Sequence, residues 1–130
     1  MKFVVPLLFS ILIIGCKTSP AVYKSSSINT NELGHIKQKA NGNLYSGVRA
    51  VYTLPDEVEV VSTSFWGITN HLHVKLEPGK YKIVVWCRVG GHPGNDVDVI
   101  LDVEPSKVYD MVCYPEANSR KHYAVFEERE

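Results

Sequence analysis

Apolar and polar positions divide the chain into two regimes. Phe3 to Gly15 is apolar throughout, apart from Ser10. Farther along, apolar residues recur at every second position. Val97, Val99, Leu101 and Val103 alternate with Asp96, Asp98, Asp102 and Glu104, broken only by Ile100. Leu72, Val74 and Leu76 alternate with His71, His73, Lys75 and Glu77 in the same way. A period of two marks a strand with one face in a core and the other in water. Between these segments, Tyr81, Ile83, Val85, Cys87 and Val89 share one face while Val84 and Trp86 occupy the other. That pattern predicts a central strand buried on both sides. Val48–Leu54 and Glu57–Ser62 flank Pro55-Asp56 and predict a hairpin, and Val108–Tyr114, Lys121–Glu127 and His35–Ala40 supply further strands. Glu77-Pro78-Gly79-Lys80 has Pro and Gly at the second and third positions of a tight turn, and Glu104-Pro105-Ser106-Lys107 makes a similar connection.

The expected fold is therefore all-β: a small antiparallel β-sandwich of about seven to eight strands, with a small closed barrel as the competing architecture. The folded domain is expected over residues 35–130.

The apolar run at the start is of a different kind. As a helix it spans about 20 Å, short of the ~30 Å hydrocarbon core of a bilayer. Its length, after Met1-Lys2, suits the apolar region of a secretion signal. It ends in Ile13-Ile14-Gly15-Cys16, which resembles the lipobox of bacterial lipoproteins, with Ile13 where Leu is more usual. The resemblance implies removal of residues 1–15, acylation of Cys16 and anchorage in a membrane. Lys17 stands where an Asp favours inner-membrane retention in that family, which implies the outer membrane, facing the periplasm. Residues 16–34 are rich in Ser, Thr, Asn and Lys and read as a flexible tether, with Val22 and Tyr23 suited to dock on the domain.

A second resemblance covers Val74 to Tyr114. Leu76-Glu77-Pro78-Gly79-Lys80-Tyr81 and Ser106-Lys107-Val108-Tyr109 resemble the paired turn motifs of small bacterial lipoproteins with a PEGA-like or transthyretin-like sandwich, with Ser106 in place of the second Gly. The resemblance implies a fold and an envelope location and supplies no activity.

Composition narrows the partners. Fourteen Lys plus Arg balance fourteen Asp plus Glu. Without Lys2 the balance is 13 − 14 = −1. No basic stripe marks a nucleic-acid binder. Of three cysteines, Cys16 is the lipid site. Cys87 and Cys113 remain, each on an apolar strand face. In an oxidising compartment they are candidates for a disulfide, and two separate buried thiols are the other reading.

His71 and His73 are two apart on a strand and so share a face, where both imidazoles could reach one Zn²⁺ or Cu²⁺. A third ligand would come from His92, His122, Glu77 or His35. The competing reading is two exposed histidines. Phe65-Trp66 and His92 sit in connections and are candidate interaction residues. Lys80, Lys82, Trp86 and Arg88 share one face, which predicts cationic stems laid over the indole. Asp96, Asp98 and Asp102 read as a solvated acidic face. No spacing organises a catalytic triad, a phosphate loop or a redox Cys pair, so no enzyme activity and no cofactor are expected. The function expected is a lipid-anchored, non-catalytic envelope module that binds a protein or a cell-wall component. Alternatives are an immunity protein or lysozyme-type inhibitor that plugs an enzyme cleft with residues 89–96 or 63–70, and a metal carrier built on His71 and His73.

Overall fold

The structure, a computed structural model, describes residues 20–25, 27–63, 70–90 and 92–129. Among the described residues are nine strands and one short 3-10 turn (Thr30–Glu32). The strands are β1 (Ala21–Tyr23), β2 (Gly34–Gln38), β3 (Leu44–Thr53), β4 (Glu59–Ser62), β5 (His73–Leu76), β6 (Gly79–Val89), β7 (Asn95–Val103), β8 (Val108–Pro115) and β9 (His122–Glu128). They form a five-stranded sheet in the order β1-β5-β2-β8-β9 and a four-stranded sheet in the order β4-β3-β6-β7. The two sheets pack face to face as a sandwich.

The alternating residues of the sequence fill the space between them. Ile36, Val74, Leu76 and Met111 from the larger sheet meet Val48, Val51, Ile83 and Val85 from the smaller one, all at most 1 % exposed. At 25–30 cal/mol per Å² of apolar area, each such side chain contributes about 1.5–3 kcal/mol. Ser46 is the buried polar exception in this layer. Its hydroxyl donates to the Met111 carbonyl at 3.1 Å and so links the sheets.

Cys87 of β6 and Cys113 of β8 form a disulfide, Cα atoms 5.8 Å apart, that crosslinks the two sheets. On the side of the sandwich where β7 and β9 meet, a second inter-sheet tie is polar. The Asn95 amide donates to the His122 carbonyl at 3.0 Å, and the His122 N–H donates to the Asn95 Oδ1 at 3.1 Å.

Three features depart from the sequence reading. The larger sheet is not wholly antiparallel: β1 pairs with β5, and β2 with β8, in parallel. Only strands joined by tight hairpins must run antiparallel. β2 and β8 become neighbours after the chain has crossed to the other sheet and returned, so no turn sets their relative direction.

The ordered structure also reaches back into the segment read as tether. β1 adds to the edge of β5, the Glu77 N–H donates to the Tyr23 carbonyl at 3.0 Å, and the Tyr23 ring packs edge-on against Tyr81 at 6.3 Å. Leu33 is also buried, at 1 % exposure. A preformed edge supplies ladder bonds that offset the ordering cost of three residues, which composition alone does not reveal.

Finally, β6 has neighbours on both sides within its sheet, but its second face looks to solvent rather than into another layer. Val84 and Trp86 there are half-buried.

The turn motifs have a common physical cause. The Tyr81 hydroxyl donates to the Glu77 carbonyl at 2.6 Å, across the Pro78-Gly79 turn. The Tyr109 hydroxyl accepts from the Glu104 N–H at 3.0 Å and donates to the Asp102 carbonyl at 3.2 Å, across the Pro105-Ser106 turn. Each tyrosine buries its ring and uses its polar tip to close the turn behind it. Ser106 takes φ +62°, the left-handed conformation that Gly adopts at least cost, and its hydroxyl donates to the Asn31 carbonyl at 2.5 Å.

Candidate functional site

The outer face of the four-stranded sheet is built of cations held against aromatic rings. On β3, a bulge between Val48 and Ala50 inserts Arg49 as an extra residue. Its guanidinium lies 4.2 Å from the Trp86 ring centroid, and its Nη1 donates to Asp96 Oδ2 at 3.2 Å. The chain passes close to the same indole at Gly94, where a Cβ would lie 2.6 Å from two ring atoms, so only glycine fits there. Beside this unit, Lys82 Nζ stands 4.9 Å over Tyr52 and donates to Glu57 Oε1 at 2.9 Å, a bond that raises the lysine pKa above its ordinary value. Arg88 stands 5.6 Å over Tyr45.

The cations on this face were expected to lie over Trp86 from its own strand. Residues two apart on one strand are about 6.6 Å apart, whereas residues directly opposite on neighbouring strands have Cβ atoms ~5 Å apart. Lys82 and Arg88 therefore stack on tyrosines of β3, and the cation over Trp86 comes from β3. Nothing in a single sequence reports that pairing.

Along this face runs an open groove of about 520 Å³ lined by Arg49, Tyr52, Glu59, Ser62, Lys82 and Asp98. It offers carboxylates, cations, a hydroxyl and an aromatic face within one concavity. Such a set accepts and donates hydrogen bonds to a polar partner while stacking on its flat or apolar parts. The exposed ion pairs themselves contribute little stability, about 0–1 kcal/mol each.

The histidines are arranged otherwise than expected. His71 and His73 do not converge. His71 bridges to Val48 of the opposite sheet, and its Nε2 lies 2.7 Å from the Ser62 carbonyl. His73 instead meets His35 of β2: Nδ1 of His35 and Nε2 of His73 are 3.0 Å apart, with the rings stacked at 5.2 Å. The break in alternation comes at Leu72, which is 46 % exposed, so β5 begins only at His73. Lys37 and Lys75 lie on neighbouring positions of the same ladder. Burial first, then the charges of His35, Lys37 and Lys75, push the His73 pKa down to about 4; burial, Lys75 and Lys37 lower that of His35. No group of three His, Cys, Asp or Glu is placed to hold a metal ion among the described residues.

This pair makes stability depend on pH with a definite sign. Both folded-state pKa values lie below the unfolded value of 6.5. The unfolded chain therefore takes up protons first as pH falls, and stability is lost from about 6.5 downward until His73 itself titrates near 4. Urea midpoints at pH 7.5 and pH 5 are expected to show this loss in the wild type. A His35→Gln/His73→Gln double variant is expected to show a smaller one. Equal losses in both proteins would mean that these imidazoles are not the cause.

Of the remaining candidates, His92 is exposed in the β6–β7 connection, where its N–H donates to the Val89 carbonyl at 3.0 Å. Cys16, Phe65 and Trp66 lie outside the described residues. Asp96 and Asp98 flank the groove, as the acidic face of β7 predicts. No protein family, no curated protein and no solved structure matches the chain.

Proposed function

We propose that the chain is a lipid-anchored, non-catalytic module of the bacterial envelope that binds a protein or cell-wall partner on the outer face of its four-stranded sheet. The observation that carries the location is the Cys87–Cys113 disulfide. Such bonds persist in oxidising compartments and are rare in the cytosol. It agrees with the lipobox-like Ile13–Cys16 and with the export that a lipobox implies. The choice of face rests on the groove beside Arg49 and Lys82. Tyr and Trp rings pinned by cations are already ordered before a partner arrives, so contact costs little side-chain entropy.

The test places a photo-crosslinking amino acid at Val84, on this face, or at Val108, on the outer face of the other sheet, in the full chain expressed in its host. Adducts from position 84, lost when Arg49→Ala is added, are expected. Adducts from position 108 alone would assign the wrong face. A wall-degrading enzyme as the captured partner would turn the reading into that of an inhibitor.

A further inference from the structure

We propose that one end of the sandwich, the end bearing the β6–β7 and β8–β9 turns, rests on the anionic headgroups of the bilayer that holds Cys16. The proposal rests on the anchored reading above and adds an orientation to it.

The reach of the tether limits how the domain can sit. Four residues, and so five Cα–Cα steps, separate Cys16 from Ala21, where β1 begins. Fully extended they span at most about 17 Å. Ala21 pairs with Val74, Val74 with Ile36, and Ile36 with Tyr109, so the four lie at one level across the sheet. β2 and β8 run parallel to each other, and β8 continues from Tyr109 to Pro115, six residues farther. At 3.3 Å per residue that is about 20 Å, with the 116–121 turn still beyond it. β1 runs away from that end, so the chain before Ala21 emerges toward it. A tether of that reach, fixed in a bilayer, cannot hold the β8–β9 turn clear of the surface while the strands stand upright.

Charge is distributed unevenly along the same axis. Around and beyond the Cys87–Cys113 crosslink, residues 39–45, 88–95 and 114–123 carry Lys39, Arg88, Arg120 and Lys121 against Glu116 among the described residues, all five exposed; Lys39 also reaches Glu127 at 3.5 Å, and the adjoining Asp96 is held by Arg49. The opposite end carries Glu32, Asp56, Glu57, Glu77, Asp102, Glu104 and Glu128 around Lys24, Lys80, Lys107 and Arg129. The overall balance of zero conceals an axis that is positive toward the anchor and negative away from it. Basic side chains within a Debye length of anionic headgroups are drawn to them, and carboxylates are repelled. Tether and charge therefore select the same end, although neither depends on the other.

This orientation lays the strands roughly along the membrane normal. It leaves the groove on the four-stranded sheet facing sideways, open to a partner.

The experiment uses the full-length chain matured in its host, with acylation of Cys16 read first by mass spectrometry. The protein is placed in phosphatidylcholine vesicles with or without phosphatidylglycerol, and its lysines are labelled with a water-soluble amine reagent. With phosphatidylglycerol, Lys39 and Lys121 are expected to label about fivefold more slowly than without it, and Lys80 and Lys107 at unchanged rates. High salt is expected to abolish the protection. Arg120→Glu/Lys121→Glu, a substitution at two exposed turn positions, is expected to release Lys39. An acylated protein whose Lys39 and Lys121 label as fast as Lys80 overturns the orientation and leaves the anchor standing. Protection centred on Lys37 and Lys75 would do the same, because it would put the face of the five-stranded sheet against the lipid. A bare thiol at Cys16 overturns the anchored reading and this proposal with it.

Discussion

Replacing Cys87 and Cys113 together by alanine is expected to lower the melting temperature by roughly 15–25 °C. The bond closes a loop over a sequence separation of 26. In the chain-entropy account, opening such a loop frees the unfolded ensemble by about 3.5 kcal/mol. For a domain of this size, 1 kcal/mol corresponds to about 4–8 °C. The loss is also a large fraction of the 5–15 kcal/mol that a typical domain has in total. The position of the bond adds a native-state component. It joins β6 to β8, the inner strands of different sheets, beside the Ser46 bond to Met111. Calorimetry of the wild type with and without reductant, alongside the double variant, provides the check. A shift of under about 5 °C would mean that packing between the sheets holds them without the crosslink.

The second large effect is expected at Ile83. This residue is fully buried at the middle of β6, with Val51 and Val99 beside it on the neighbouring strands. Ile83→Ala removes three carbons from a layer that no solvent reaches, at a cost of about 3 kcal/mol in transfer and cavity energy. Ile100→Ala is the matched control. Ile100 is 53 % exposed on the outer face of β7, and its loss is expected to change stability by no more than about 0.5 kcal/mol. Urea denaturation of both variants measures the contrast. Equal effects would mean that the faces of β6 and β7 have been assigned the wrong way round.

Those two isoleucines also show what could be read from the sequence and what could not. Ile100 breaks the alternation of residues 96–104, and composition alone would place it in a core. The strict period of its neighbours places it outside, and there it lies. The same periodicity identified the faces of β7 and grouped Cys87 with Tyr81, Ile83 and Val85 on one apolar face of β6, but it took the other face of β6 as buried too. It did not identify β1, because three residues contain too little pattern to stand out from a polar segment. The identity of the strand that covers Trp86 and the meeting of His35 with His73 also lay beyond it.

Strand class, the turns closed by Tyr81 and Tyr109, and the division of residues 96–104 into inner and outer faces follow from the sequence alone. Each depends on interactions within a few residues, and a two-residue period fixes them. The partners of Arg49, Cys113 and His73 were decided by the tertiary structure. Register and strand order join residues far apart in the chain, and the choice among them is made by how well two whole faces pack. That quantity belongs to no single segment.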